Sequence, residues 1–223
     1  MINMYKKIFI LFCLLTIPSN VFSNEGNIIR LFDEPLEKYR VKHYSGENVI
    51  KKMDYEYNEG GSLIVHESNN SASGLFSDIN MDLRKRSLRY LNFEWKVEKF
   101  KNIDETQKAY HDFPARVYLT FRTGPMPWEK YIINYVFSNT QVKGTHWKSP
   151  YLNIFTKSYD VALNGRSDPA FYWIKHKINI RNDIQRLWNV DVSNLESIAL
   201  MVDTDNTNKK IISQFRNIYL SQF

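Results

Sequence analysis

Apolar and polar residues alternate strictly over residues 115–122. Ala115, Val117, Leu119 and Phe121 fall on one face, and Arg116, Tyr118, Thr120 and Arg122 fall on the other. Successive side chains on a strand point to opposite faces, so this is the signature of a half-buried strand. His111-Asp112-Phe113-Pro114 leads into it. Residues 88–98 repeat the pattern, with Leu91, Phe93, Trp95 and Val97 set against Asn92, Glu94, Lys96 and Glu98. The two stretches read as the centre of a β-sandwich. If the face carrying Arg116, Tyr118 and Arg122, with Glu94 on the preceding strand, is concave, it is the natural binding surface. If a further layer covers it, these residues are buried pairs.

Shorter alternating or apolar runs predict strands over 28–32, 39–44, 62–67, 75–81, 131–137, 151–159, 170–179, 195–202 and 214–220. Residues 49–57 read as extended, and the turn signal Asn58-Glu59-Gly60-Gly61 joins them to 62–67 as a hairpin. Polar or Pro-containing stretches at 68–74, 99–110, 124–128, 139–150 and 163–169 read as loops and turns. Ile180, Ile184, Leu187 and Trp188 recur at helical spacing and predict a helix over 181–189. Many short strands with one helix predict an all-β, single-domain sandwich over 24–223. Trp95, Trp173 and Trp188 lie in patterned elements and are expected in the core.

The N-terminus has a different pattern. Lys6 and Lys7 precede a nearly unbroken apolar run from Ile8 to Ile17, then Pro18 and Val21-Phe22-Ser23. This is the order of a secretory signal peptide, with cleavage expected after Ser23 and a periplasmic or secreted mature chain. The run is too short to span a bilayer, and no later stretch reaches the ~20 apolar residues a membrane helix needs. Cys13 is the single cysteine and lies inside that run. The mature chain therefore has no disulfide, no thiol nucleophile and no zinc–thiolate site. The net charge is +6, or +4 without Lys6 and Lys7. Acids and bases are interleaved, and the basic spot Arg84-Lys85-Arg86 with Arg89 reads as a solvated turn. No nucleic-acid partner is expected.

Candidate chemistry is sparse. Asp203-Thr204-Asp205-Asn206-Thr207 offers closely spaced oxygen donors suited to a structural calcium ion held by Asp203 and Asp205. It lacks the Gly and the terminal Glu of a full calcium loop, and otherwise reads as a self-bonded Asx turn. No other cofactor is expected. Asp112 and Arg116 flank the 115–122 strand as either a ligand clamp or a structural ion pair. Trp128, Trp147 and Tyr151 lie in or beside Pro-containing loops, where aromatics either stack on sugar rings or plug the sandwich end. The five histidines form no metalloprotease helix motif, and no Gly-x-Ser-x-Gly elbow occurs. Glu67, Glu94 and Glu98 lack the local context of a glycosidase pair.

Six separated motifs, in order, resemble the bacterial exported family called domain of unknown function 3047. They are residues 68–75; Leu91-Asn92-Phe93-Glu94-Trp95-Lys96-Val97; Asp112-Phe113-Pro114-Ala115-Arg116-Val117-Tyr118; Ile133-Asn134-Tyr135-Val136; Ser149-Pro150-Tyr151; and residues 201–207. Two positions depart from it: Phe93 stands in place of Trp, and His111 in place of an acid beside Asp112. The resemblance implies a jelly-roll-like sandwich akin to carbohydrate-binding modules. It supplies no activity and no catalytic residue. The expected function is non-catalytic binding of a glycan or envelope component, with Asp112, Arg116, Tyr118, Arg122, Glu94, Trp128 and Trp147 as candidate contacts. The alternatives are an envelope carbohydrate-active hydrolase or lyase, and a structural or assembly partner of another envelope protein.

Overall fold

The computed structural model describes residues 28–54, 61–100, 103–151 and 156–223. The expected signal peptide (1–23), the turn at 58–60 and the beginning of the 151–159 strand (152–155) lie outside them. The described residues form two sheets. One sheet has seven strands, in the order β2 (Arg40–Ser45), β5 (Ala72–Asp82), β12 (Asn194–Asp203), β7 (Arg116–Arg122), β8 (Lys130–Phe137), β10 (Thr156–Asn164) and β9 (His146–Lys148). The other has the order β11 (Trp173–Asn179), β6 (Tyr90–Lys96), β13 (Lys210–Ser221), β4 (Ser62–Asn69) and β3 (Val49–Asp54), with β1 (Ile28–Arg30) also on β13. All pairings are antiparallel except β8 with β10. The chain passes repeatedly from sheet to sheet, giving the expected jelly-roll-like sandwich.

The alternation explains the layering. Val117, Leu119 and Phe121 of β7, Ile133, Tyr135 and Phe137 of β8, and Ile198, Leu200 and Val202 of β12 point inward and are fully buried. They meet Leu91, Phe93 and Trp95 of β6 and Phe215 of β13 in one continuous core. Each such side chain contributes about 1.5–3 kcal/mol on burial. Two hydrogen bonds tie polar atoms into this core. Trp95 Nε1 donates to Asn164 Oδ1 at 2.8 Å, and Tyr135 Oη donates to Asp183 Oδ2 at 2.8 Å. Asp183 belongs to α1 (Ile180–Trp188), which buries Ile180, Ile184 and Leu187 against the sandwich. The Asn179 side chain caps its N-terminus by accepting from Asn182 N at 3.1 Å. Asn189 ends it in the left-handed conformation, at φ 54°.

Several expectations need correction. The 88–98 and 115–122 strands lie in opposite sheets, because each buries its apolar face against the other's. The expected loop at 68–74 contributes Ala72–Gly74 to β5, and the expected loop at 139–150 contains β9. Residue 164 still belongs to β10, inside the expected turn. Trp173 is not core: it sits half-buried, with the Arg216 guanidinium 3.9 Å above its ring. Trp188, by contrast, packs against the core as expected, half-buried and stacked on Tyr131 at 4.8 Å.

Trp95→Ala removes the largest fully buried side chain and orphans Asn164 of one donor. The expected loss is about 3–5 kcal/mol. In urea unfolding this is a fall in midpoint at an unchanged m-value.

Candidate functional site

The outward-facing residues of the seven-stranded sheet line a groove of about 490 Å³. Strand register builds its floor. Tyr118 lies opposite Ala199 on one side and Asn134 on the other. Asn134 lies opposite Asp160, and Ala199 lies opposite Phe76. In the neighbouring row, Lys42, Gly74, Met201 and Arg116 are successive cross-strand partners. Cross-strand neighbours stand about 4.5–5.5 Å apart, so these side chains share one surface. Small residues keep the floor low. A Cβ on Gly74 would come within 2.8 Å of the Phe76 ring, so glycine is needed there. Tyr44 and Lys42 from β2 flank one side, and His111, Ser149 and Tyr151 line the groove from loops.

The floor is charged and buried. The Arg116 Nη2 donates to Asp203 Oδ2 at 2.7 Å, and the guanidinium lies 4.7 Å over the Phe113 ring. The backbone N–H of Phe113 donates to the other Asp203 oxygen. Next to this pair, His111 Nε2 meets Asp160 Oδ2 at 2.8 Å, and Asn134 Nδ2 donates to Asp160 Oδ1 at 2.7 Å. Arg116 is 6% exposed, Asn134 2% and Asp160 0%. Arg116 Nε and Asn134 Oδ1 are buried and have no partner among the described residues.

Asp112 works from behind the groove. Its carboxylate accepts from Thr207 N at 2.7 Å, Asn206 N at 3.1 Å and Asn206 Nδ2 at 3.0 Å. The segment before β7 is thereby tied to the turn after β12. A second bond, from Asp203 N to Phe113 O at 3.2 Å, fastens the same two segments.

Burial shapes the protonation of these groups. It pushes the Asp203 carboxyl up to about 7, against the pull of the Arg116 guanidinium and with added repulsion from Asp112. It raises Asp112 despite the hydrogen bonds from Thr207 and Asn206. It lowers His111, opposed by the hydrogen bond to Asp160. It raises the Tyr118 and Tyr151 hydroxyls.

The residues expected from sequence divide clearly. Arg116, Tyr118, Asp203 and Asp205 line the groove, with Asp112 beneath its end. The guanidinium partner of Asp112 is not found: Arg116 pairs with Asp203 instead. Both Asp203 oxygens are taken by Arg116 and Phe113 N. Among the described residues, no three His, Cys, Asp or Glu side chains gather as metal ligands. Arg122 lies at the far end of β7, 3.4 Å from Glu196, away from the groove. Glu94 lies on the opposite sheet, held by Arg216 at 2.8 Å and Asn217 Nδ2 at 3.0 Å. Trp128 is exposed in its loop and does not line the groove. Trp147 stacks on Phe113 at 6.3 Å, behind the groove wall.

His111, Asn134, Asp160, Tyr44 and Lys42 were not expected as site residues. Asn134 carried a signal, as a lone polar residue among apolar neighbours in β8; Asp160, in a strand that also holds Thr156, Lys157, Ser158 and Asn164, did not.

Fold and site together define an all-β sandwich with an open polar groove on one outer face. The chain belongs to the family described as Protein of unknown function (DUF3047), whose model matches residues 37–219. No curated protein matches it. Among solved structures it is similar to a family 11 carbohydrate-binding module from Clostridium thermocellum in complex with a β-1,3-1,4-mixed-linked tetrasaccharide. The identity is 12% and the TM-score 0.43, over 87% of this chain and 94% of that one. It is also similar to the xyloglucanase domain of NopAA, a type three effector from Sinorhizobium fredii, in complex with cellobiose. There the identity is 10% and the TM-score 0.43, over 88% of this chain and 97% of that one. Among the described residues, no helix is long and apolar enough to cross a membrane.

The raised Asp203 carboxyl has a testable sign. Below about 4 both folded and unfolded chains carry the proton. Between about 4 and 7 only the folded chain does. The Asp203 contribution to stability is therefore full at low pH and is lost as pH rises through about 7. Asp203→Asn removes that component. Measured by thermal unfolding, wild type should lose stability relative to Asp203→Asn between pH 5 and 7, by at most about 1.4 kcal/mol per pH unit.

Proposed function

We propose that the protein is exported and binds a saccharide component of the cell envelope in this groove. The observation that carries the reading is the combination of a polar, buried floor with aromatic sides in an open channel. Asn134, Arg116, Asp205 and Asn206 present planar polar groups suited to sugar hydroxyls, while Tyr44, Tyr118 and Tyr151 present flat apolar area with a polar tip. The volume falls within the range of about 300–1,000 Å³ typical of small-ligand sites. Arg116 spends Nη2 on Asp203 and keeps a buried Nε with no partner among the described residues, a donor a ligand oxygen can take. Export is supported by the N-terminal sequence pattern alone.

Isothermal titration of the mature chain with peptidoglycan fragments, lipopolysaccharide oligosaccharides and β-glucan oligomers tests the reading. At least one class should bind, with a change in Trp147 emission through its Phe113 stack. Tyr118→Ala should weaken binding about tenfold or more, a loss of about 1.4 kcal/mol, and Trp128→Ala should leave it unchanged. Absence of heat and of any emission change with every class overturns the proposal. Cell fractionation with N-terminal sequencing tests export, the expected new terminus being Asn24.

A further inference from the structure

Binding alone does not account for the pairing of His111, which lines the groove, with the fully buried Asp160 beneath it. His111 is 3% exposed and Asp160 0%. The Asp160 carboxylate accepts, so Nε2 of His111 carries the proton and Nδ1 is left as the ring's basic nitrogen. Asn134 fixes the other Asp160 oxygen at 2.7 Å, so the carboxylate that orients the ring is itself held. The groups around the ring are Asp160, Asp112 and Arg116, with Tyr151 at 5.2 Å and Phe113 at 4.9 Å. Burial keeps the imidazole unprotonated at neutral pH and keeps the Tyr118 hydroxyl protonated. Environments that push a base down and an acid up are the arrangement proton-transfer catalysis uses. Tyr118 stands directly opposite Asn134, which stands opposite Asp160. Arg116 is two residues along the same strand from Tyr118, on the same face, with Lys42 on the groove lining.

We propose that the groove cleaves polyuronates by β-elimination, with His111 as the base and Tyr118 as the acid. Nδ1 of His111 takes the proton from the ring carbon that bears the carboxylate. The electron pair of that C–H bond passes through the carboxylate-stabilised carbanion into a new carbon–carbon double bond. The bond from the neighbouring carbon to the glycosidic oxygen breaks, and the oxygen leaves with its pair and takes the Tyr118 hydroxyl proton. Solvent then returns the His111 proton to Tyr118. Atoms and charge balance without oxidant, reductant or water as co-reactant. Arg116 holds the substrate carboxylate, whose charge grows as the proton departs. Asp160 is a positioning residue that fixes the tautomer of His111.

The inference rests on the groove being a saccharide site, and two readouts on the same samples separate the claims. The mature chain is mixed with polygalacturonate, polymannuronate, polyguluronate and hyaluronan. Ultraviolet absorbance of the new conjugated double bond reads elimination, and calorimetry reads binding. With one polymer, absorbance and new reducing ends should rise together. His111→Gln and Tyr118→Phe should each slow this about 10²–10⁴-fold, with binding of that polymer retained. Asp160→Asn should move the acidic limb of the kcat/KM profile to lower pH, because the carboxylate raises the His111 proton affinity. A polyuronate that binds without forming a double bond overturns elimination and leaves saccharide binding standing. Binding of neutral glycans only overturns the uronate substrate. No binding by any polymer or oligosaccharide overturns both readings.

Discussion

Two buried carboxylates hold the ends of the central strands β7 and β12 together, and the groove depends on them. Asp112 accepts the N–H groups of the turn after β12. Asp203, at the end of β12, accepts the Phe113 N–H just before β7. The two segments are thus laced reciprocally, each donating main-chain hydrogens to the other's side chain. Main-chain donors near a strand end need partners when water is excluded, and here carboxylates supply them. The lacing fixes where Arg116 begins β7 and where His111 projects. Breaking one member would leave several donors and a buried charge unsatisfied, a loss of about 3–5 kcal/mol for the Arg116–Asp203 pair alone.

The seven-stranded sheet therefore has two unlike faces. The inner one is continuous with the apolar core. The outer one carries Arg116, Tyr118, Asn134, Ser158 and Asp160, several of them as inaccessible as core residues. Strand alternation makes this possible at no cost to the core, since every second position is free of its packing demands. Preorganised charges in a shielded site interact more strongly with a ligand than exposed ones, because they need not be stripped of water at the moment of contact. The partial neutralisation of Arg116 by Asp203 limits that field.

Much of the fold was legible in the residues. Alternation over 115–122 located β7 and its two faces, and the spacing of Ile180, Ile184 and Leu187 located the helix to within a residue. What alternation cannot convey is which sheet a strand joins. Glu94 and Arg116 both lie on polar faces of neighbouring strands in sequence, yet those faces point in opposite directions across the sandwich. Half of the site was hidden for the same reason. Arg116 and Tyr118 announced themselves on an alternating strand. His111 meets Asp160 only through the β8–β10 pairing and the fold of the preceding loop, which spacing does not encode. The Ala72–Gly74 segment looked like a loop because small residues that keep a groove floor low are also turn formers.

The placement of β13 bears on how the chain comes to be folded. It sits between β6 on one side and β4 and β1 on the other, and it follows all of them in the chain. The six-stranded sheet therefore has a gap at its centre until the last strand is present, and most of its pairings span long sequence separations. Such topologies form slowly. During synthesis, a chain of this kind has unpaired strand edges until its last strand arrives, and such edges are targets for chaperones or proteases throughout that interval.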